Sequence, residues 1–158
     1  MTCSLVVNSK SGNTRMVSGA IKRALQAAGV EFVHAAALSD DADADQVALE
    51  AQGACAADMV LVGFWCDKGA CTPSVAALLS ALHGKRVFLF GTCGFGANQK
   101  YYQQIIDRVT SNLADDAELV GWAMCQGKMG PAVKQRYEAM LEQDPDNARA
   151  KLLLDNWV

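Results

Sequence analysis

Short apolar runs alternate with longer amphipathic stretches along the whole of this 158-residue chain, and that alternation limits what it can fold into. The apolar runs have the length of strands, and the amphipathic stretches have the length of helices. Strands that alternate with helices form a parallel sheet covered on both faces, because parallel strands need right-handed crossover connections. We therefore expect a doubly wound α/β fold with a five-stranded parallel sheet. The expected strands are residues 4–7, 30–35, 59–63, 86–91 and 118–124.

The amphipathic stretches carry sequence signals for the starts and ends of helices. Gly29 follows the first stretch and is a typical helix stop. Thr72 and Pro73 suit the N-cap and first turn of a helix. The predicted apolar stripe of the first helix consists of Met16, Ala20, Ile21, Ala24, Leu25 and Ala28. The expected helices are residues 14–28, 41–55, 72–82, 99–113 and 131–142, followed by a C-terminal tail, 143–158, with a helical segment at 148–157.

The composition is that of a globular protein: 51% of the residues are hydrophobic and 20% are charged. No apolar run approaches the roughly 18 residues of a membrane span, and the N-terminus lacks the basic and apolar regions of a secretory signal. Fourteen basic and seventeen acidic residues give a net charge of −3, which argues against a nucleic-acid partner. We expect a single cytoplasmic domain over residues 1–158, without membrane contact, that is a monomer or a weak dimer.

The chain is rich in cysteine but has no C-x-x-C motif, so neither a zinc ribbon nor a thioredoxin-type site is indicated. We interpret the cysteines as free thiols that act as small hydrophobic residues. Cys66, Cys93 and Cys125 each follow one of three successive expected strands, so a redox or metal role near the strand ends remains open. The six cysteines are Cys3, Cys55, Cys66, Cys71, Cys93 and Cys125.

The stretch NSKSGNTR, residues 8–15, lies between the first expected strand and the first helix. A helix N-terminus presents unpaired N–H groups and favours an anion. Ser9, Ser11 and Thr14 add hydroxyl groups, Asn13 adds an amide, and Gly12 permits a close backbone approach. The stretch contains neither a Walker A motif nor G-x-G-x-x-G. It favours a single phosphate monoester, although an ordinary capped loop uses the same residue types.

Within this stretch, SKSGNT resembles the phosphate loop of flavodoxins, Ser/Thr-x-Ser/Thr-Gly-Asn-Thr. The later segments GFWCDKG, LFGTCGFG and CQGK resemble the flavodoxin-like family that includes the flavodoxin-type partner of bacterial bilirubin reductases. The resemblance implies strand order 2-1-3-4-5, non-covalent FMN and a partner reductase, such as a bilirubin reductase. The residues that it implies around the phosphate are Ser9, Lys10, Ser11, Gly12, Asn13 and Thr14. The residues that it implies around the flavin ring are Phe64, Trp65, Cys66, Asp67, Lys68, Thr92, Cys93, Gly94, Phe95, Gly96 and Asn98.

The residues in these loops also suit a flat ring when they are considered without the resemblance. Trp65 lies just past an expected strand end and is the first candidate to stack on a ring, although it could simply pack beneath the loop. Phe95 is a second candidate, and Gly94 and Gly96 would let N–H groups reach the ring edge.

The charges near the ring depart from the family pattern, because ordinary flavodoxins surround the flavin with acidic residues. Here the stretch GFGANQKYY has none, and Lys68 lies in the other ring loop. A cation near the ring stabilises the reduced anionic flavin, so we expect a less strongly reducing cofactor. Two alternatives are that Lys68 points into solvent and that Asp67 offsets its charge.

Three functions remain open at this stage. The leading one is an electron carrier, because the loops contain no evident acid–base pair or nucleophile. The second is an NAD(P)H-dependent FMN reductase of quinones or similar acceptors. The third is a flavin-free binding module. We expect a carrier rather than a stand-alone oxidoreductase, with no catalytic residue and no metal.

Overall fold

A five-stranded parallel sheet forms the centre of the structure, a computed structural model that describes residues 1–94 and 98–155. Its strand order is β2-β1-β3-β4-β5, and every pairing is parallel, which confirms the predicted topology. The order reverses between β1 and β3, and crevices at such points bind ligands in open α/β sheets. The elements are β1 Thr2–Val7, α1 Asn13–Ala27, β2 Glu31–Ala37, α2 Ala44–Ala54, β3 Met59–Trp65, α3 Pro73–Ser80, β4 Arg86–Cys93, α4 Gln99–Thr110, β5 Glu118–Gln126, α5 Pro131–Gln143 and α6 Ala148–Asp155.

The larger core lies on the face of the sheet that α2, α3 and α4 cover. Leu78 and Ile105 are examples of helix residues buried there against Val62 and Leu89 of the central strands. The strands can be apolar on both faces because helices cover both. This core fixes the position of α4, which lies beside the carboxyl ends of β3 and β4.

Helix α1 covers the opposite face, but not with the whole of the predicted stripe. Met16 is 73% exposed, and Ala20, Ala24 and Ala28 are exposed as well. The helix instead packs Val17, Ile21 and Leu25 against a second core of β1, β3 and β4. The physical reason is that the buried Thr14 turns toward the sheet, which rotates the contacting face by about one residue.

Helices α5 and α6 form a hairpin with its own small hydrophobic core. Tyr137, Ala150 and Leu153 are buried within it, and Met129 packs against them. The hairpin does not add to the α1 face, where Ala123 and Cys125 of β5 remain exposed. It lies instead beside the ends of β3 and β4, where Met129, Tyr137 and Leu153 line a cavity with Cys66 and Cys93.

The last three strands run two residues further than predicted. The ladder between β3 and β4 continues to the pair Trp65 and Thr92, and that between β4 and β5 continues to Cys93 and Gln126. Trp65 is therefore the last residue of a strand rather than a loop residue. Among the described residues, no helix is both long enough and apolar enough to cross a membrane.

Candidate functional site at the carboxyl edge of the sheet

The loop after β1 is held in a tight turn by Ser9. Its Oγ accepts hydrogen bonds from the backbone N–H groups of Gly12, at 3.2 Å, and of Arg15, at 3.3 Å. Gly12 is the N-cap of α1 and has φ +94°, a conformation that glycine adopts without strain. A Cβ at this position would meet nothing within 4 Å, so the space above the turn is open. The turn therefore presents the first N–H groups of α1 to an open space.

Several donors of this turn are free to bind a ligand. The backbone N–H groups of Lys10, Ser11, Asn13 and Thr14 donate to no atom of the described residues. Two of them, Asn13 and Thr14, begin α1, where the helix dipole adds positive potential. The hydroxyl of Ser11 accepts from Asn13 at 3.2 Å and keeps its own hydrogen for another acceptor. This donor set fits a phosphate monoester.

Asn13 and Thr14, two of the residues predicted to contact the phosphate, use their side chains for hydrogen bonds within the protein. Asn13 Nδ2 donates to Ser11 Oγ and, at 2.8 Å, to the carbonyl oxygen of Lys128, so its amide joins the loop to the segment after β5. Gly127 makes this approach possible, because a Cβ there would lie 2.7 Å from Asn13 Nδ2. The hydroxyl of Thr14 is buried and shares a 2.8 Å hydrogen bond with Thr92. Both side chains support the turn, and their backbone N–H groups remain for a ligand.

Asn8, at the end of β1, is a buried polar link between neighbouring strands. Its backbone N–H donates to Gly63 at 2.8 Å, and its Nδ2 donates to the carbonyl oxygen of Leu38 at 2.9 Å. The hydroxyl of Thr72 donates to Asn8 Oδ1 at 3.3 Å. These bonds satisfy a side chain that is 2% exposed and fix the start of the turn.

Trp65 is held from two sides. Its Nε1 donates to Asp40 Oδ1 at 2.9 Å, and Lys10 Nζ lies 5.0 Å from its ring centroid. The hydrogen bond from Trp65 lowers the pKa of Asp40, and the Asn8 hydrogen bond and the Lys10 charge add to this against a smaller effect of burial. The indole is thus positioned at the edge of the turn by a carboxylate that stays ionised.

Two cavities lie beside the ends of β3 and β4, and they share Cys66, Cys93, Gly94 and Met129. The small cavity, about 160 Å³, has Ser11 among its lining residues. The large cavity, about 660 Å³, is open to solvent and is lined by residues of the loop after β3, α4 and the helical hairpin. Besides the shared residues, the small cavity is lined by Asn13, Trp65, Thr92 and Lys128, and the large one by Lys68, Tyr101, Arg108, Tyr137, Arg149 and Leu153.

The loop after β3 ends in a tight turn with Lys68 at its tip. Asp67 and Ala70 exchange backbone hydrogen bonds of 2.8 and 3.0 Å. Lys68 and Gly69 both have positive φ, as in a type I′ turn. The Lys68 side chain is exposed to solvent and lines the large cavity.

The structure brings most of the predicted ring residues to the two cavities, but not all of them. Phe64 is fully buried in the larger core, where its ring packs on Gly91. Asn98 caps α4 by accepting from the N–H of Lys100 at 2.8 Å. Phe95 and Gly96 lie outside the described residues.

The cysteines do not come together as one group. Cys66 and Cys93 line the same cavities, whereas Cys125 is exposed on the opposite face of the sheet. Burial raises the pKa of the Cys66 thiol and that of Cys71, the latter to about 11, which disfavours thiolates at neutral pH. None of the six cysteines forms a disulfide with another described residue, and the described residues contain no group of three or more His, Cys, Asp or Glu side chains that could hold a metal ion.

Four contributors to this site were not expected from the sequence. Asp40 could have been found, because β2 adjoins β1 in the implied strand order and its end must lie near the turn. Arg108, Met129 and Arg149 carry no such signal, since they come from α4, the loop after β5 and α6, whose placement depends on tertiary packing.

The chain matches the family model of the flavodoxin domain over residues 4–158. A flavodoxin-like domain-containing protein BilS of Clostridium symbiosum is 35% identical over 164 residues, covering 99% of this chain and 84% of that protein. Another BilS, from Clostridioides difficile, is 36% identical over 99 residues, covering 63% of this chain and 56% of that protein.

Solved structures show the same fold at low identity. A short-chain flavodoxin associated with a non-canonical PDU bacterial microcompartment has a TM-score of 0.53 at 16% identity, covering 98% of this chain and 93% of its own. A flavoprotein from Lactobacillus acidophilus, solved in complex with FMN, has a TM-score of 0.52 at 18% identity, covering 78% of this chain and 92% of its own. At these identities the likeness concerns the fold alone.

Proposed function

Because this chain belongs to the flavodoxin-domain family, we propose that it binds FMN without a covalent bond and carries electrons to or from a partner reductase. The observation that carries this proposal is the turn after β1, where a serine-held loop and the start of α1 present unpaired N–H groups to an open space. Such a set of donors recognises a phosphate monoester by hydrogen bonds and by the helix dipole.

The residues of the turn would share the binding of the FMN phosphate. The N–H groups of Lys10, Ser11, Asn13 and Thr14 and the hydroxyl of Ser11 would donate to it, while Ser9 keeps the turn in shape. Lys10, which lies over the Trp65 ring, would add a positive charge.

The ring would extend from the small cavity into the large one. Trp65, fixed by Asp40, would provide an aromatic wall at low entropic cost, since its orientation is already set. Cys66, Cys93 and Gly94 line both cavities and would form the floor beneath the ring. The flavin supplies the redox chemistry, and the protein sets its exposure and potential.

In this proposal the partner is an enzyme that transforms its own substrate, and this protein only exchanges electrons with it. The resemblance of the loops after β1, β3, β4 and β5 makes a bilirubin reductase the first partner to test. A second candidate, direct reduction of quinones with NAD(P)H, differs in needing no partner, so oxidation of NADPH by the purified protein alone distinguishes the two.

The test is the affinity of the purified protein for FMN and for riboflavin, measured by fluorescence quenching after removal of any bound flavin. We expect FMN to bind at least 100-fold more tightly, because only FMN carries the phosphate that the turn recognises. Ser11→Ala should weaken FMN binding by about tenfold and leave riboflavin binding unchanged.

Ser80→Ala is the matched control, because Ser80 is an exposed serine at the end of α3 that bonds only within its own helix. Equal affinities for the two flavins would contradict the role of the turn. A protein that stays colourless after incubation with FMN and desalting would support the flavin-free module instead.

A further inference from the structure

Three cationic side chains line the large cavity. Lys68 comes from the turn after β3, Arg108 from α4 and Arg149 from α6, and all three are exposed to solvent while lining the cavity. We call these three residues the cationic rim. Arg108 is fixed on the turn, because its Nη1 donates to the carbonyl oxygen of Gly69 at 3.2 Å.

The charge of the cationic rim is largely uncompensated. No aspartate or glutamate is among the described residues that line either cavity. The ion pairs found in the described part of the chain involve other cations, as in Arg86–Glu118 and Lys151–Asp146. Asp67 and Asp107, the sequence neighbours of Lys68 and Arg108, line neither cavity.

This positive rim belongs to a protein with a net charge of −3. Part of the opposite charge is concentrated at the other end of the same edge, where Asp40, Asp41, Asp43 and Asp45 follow β2. The charges along the carboxyl edge are therefore separated, with negative side chains beyond β2 and positive ones around β3, β4 and α6.

Inside the rim, the surface is apolar and aromatic. Tyr101, Met129, Tyr137 and Leu153 line the same cavity as the three cations. An apolar centre surrounded by a polar, exposed rim is the common anatomy of protein–protein interfaces. Charges at such a rim steer the encounter with an oppositely charged partner more than they add affinity.

We propose that the cationic rim is the electron-exchange face of this protein and that it docks a partner with an acidic surface. The inference rests on the proposed function, since it requires FMN beside the large cavity. An acidic surface would approach Lys68, Arg108 and Arg149 and bring its own redox group to the cavity mouth. The acidic residues after β2 would repel the same surface and so fix its orientation.

The test measures how fast the reduced, FMN-loaded full-length protein is reoxidised by acceptors of opposite charge, using stopped-flow absorbance. Ferricyanide, a trianion, and tris(phenanthroline)cobalt(III), a trication, are the small probes. Each accepts one electron, so two ions oxidise one two-electron-reduced FMN to FMN and release its protons to the buffer. Acidic cytochrome b5 and basic cytochrome c are the protein probes, and each also accepts one electron.

Whether added salt speeds or slows reoxidation shows whether an acceptor responds to the charge of the cationic rim or to the net charge of the whole protein. Bound FMN adds about two negative charges to the net charge, so a uniformly spread charge would repel ferricyanide, and added salt would speed that reaction. The cationic rim predicts the opposite: salt slows reoxidation by ferricyanide and by cytochrome b5, and speeds it by the cationic probes.

Single substitutions identify the charges that act. Arg149→Gln, Arg108→Gln and Lys68→Asn should each slow the ferricyanide reaction by about three- to fivefold at low salt, since each removes one charge roughly 10 Å from a trianion. Asparagine is chosen at position 68 because it tolerates the positive φ found there. The same variants should slow the reaction with cytochrome b5, and the differences should vanish at high salt.

Lys151→Gln and Arg86→Gln are the matched controls. Lys151 lies two residues beyond Arg149 in the same helix and pairs with Asp146, and Arg86 begins β4 at the opposite edge of the sheet. Neither substitution should change the low-salt rates by more than the measurement error.

The outcomes separate the inference from the proposed function. A protein that retains FMN but is oxidised by ferricyanide faster as salt is added overturns the cationic rim and leaves the proposed function standing. Rim variants that alter the ferricyanide rate but not the cytochrome b5 rate overturn docking of a protein and leave a site for small anions. A protein without flavin overturns both proposals.

Discussion

Asp40 joins three parts of the candidate site through a single carboxylate. Its Oδ1 accepts from Asn8 Nδ2 at 2.7 Å and from Trp65 Nε1 at 2.9 Å, and Lys10 lies over the same indole ring. The end of β1, the end of β3 and the turn are therefore coupled by one ionised residue. Because the Trp65 bond is the largest influence on the pKa of Asp40, the indole and the carboxylate hold each other in place.

Trp65→Phe should raise the pKa of Asp40 toward its ordinary value, measured by NMR titration. Because the pKa of Asp40 is lower in the folded protein than in the unfolded chain, where it is about 3.9, its ionisation stabilises the fold at pH values above the unfolded pKa. This stabilisation is lost as the pH falls through the pKa of Asp40 in the folded protein. The variant should therefore lose about 0.5–1 kcal/mol at pH 6 and less at pH 3, as measured by urea unfolding. Trp122→Phe in β5 is the control and should leave the pKa of Asp40 unchanged.

Gly127→Ala should weaken FMN binding by about tenfold while the sheet stays folded. The new methyl group would lie 2.7 Å from Asn13 Nδ2 and push it away from the carbonyl oxygen of Lys128, which disturbs the start of α1. Overpacking of this kind costs about 1–3 kcal/mol. Calorimetric titration with FMN gives the affinity, and circular dichroism checks the fold.

Gly130→Ala provides the comparison for this substitution. Gly130 is three residues further along the same segment, has an extended backbone, and a Cβ there would meet nothing within 4 Å. If both alanine variants bound FMN equally well, the contact between Gly127 and Asn13 would have no role in shaping the turn.

At the scale of elements, the position of Asp40 depends on how α2 begins. Asp43 Oδ1 accepts from the N–H of Gln46 at 2.8 Å, and Gln46 Oε1 accepts from the N–H of Asp43 at 3.0 Å, which is a complete capping box. The helix then packs Val47 and Ala51 into the larger core. The segment from β2 to α2 is thus fixed at both of its ends.

Asp43→Ala should lower the free energy of unfolding by about 1 kcal/mol, because the backbone N–H of Gln46 loses its side-chain acceptor. Asp45→Ala, which removes a carboxylate from the same first turn without breaking the box, should cost only a few tenths of a kcal/mol. Urea unfolding at neutral pH measures both. A cost for Asp45→Ala as large as that for Asp43→Ala would show that helix-dipole electrostatics, rather than capping, stabilises this helix start.

At the scale of the whole molecule, the chain has two bodies of hydrophobic packing with different roles. The sheet and α1 to α4 form the large cores on both faces, whereas α5 and α6 bury Tyr137, Ala150 and Leu153 mainly against each other. The hairpin contributes Tyr137, Arg149 and Leu153 to the large cavity. Its stability should therefore affect the cavity more than it affects the sheet.

Leu153→Ala should speed amide hydrogen exchange in residues 131–155 by about 10- to 100-fold and leave exchange in β3 and β4 unchanged. The substitution removes a side chain that is 4% exposed and leaves a cavity inside a small core that opens locally. Leu152→Ala is the neighbouring control, because Leu152 is 49% exposed. Uniform acceleration across the sheet would show instead that the hairpin and the sheet unfold together.

The alternation of apolar runs and amphipathic stretches was sufficient to predict five parallel strands, and the loop resemblance predicted their order. Strand ends were less accurate, because β3, β4 and β5 extend to Trp65, Cys93 and Gln126 only through pairing with neighbours that are distant in sequence. Four of the six residues in the predicted stripe of α1 are exposed, and the buried Thr14, bonded to Thr92, lies on the face that packs on the sheet instead.

The sequence by itself determined the phosphate-loop pattern, because the hydroxyls, Gly12 and the start of α1 that make up the turn are all neighbours in the chain. Only the tertiary structure decided what surrounds that turn. Asp40 reaches Trp65, Lys128 reaches Asn13, and Arg108 and Arg149 meet Lys68 at one cavity, each across a long separation in sequence. The physical reason is range: capping and backbone conformation act within a few residues, whereas charge clusters and cavities form where packed elements bring distant side chains together.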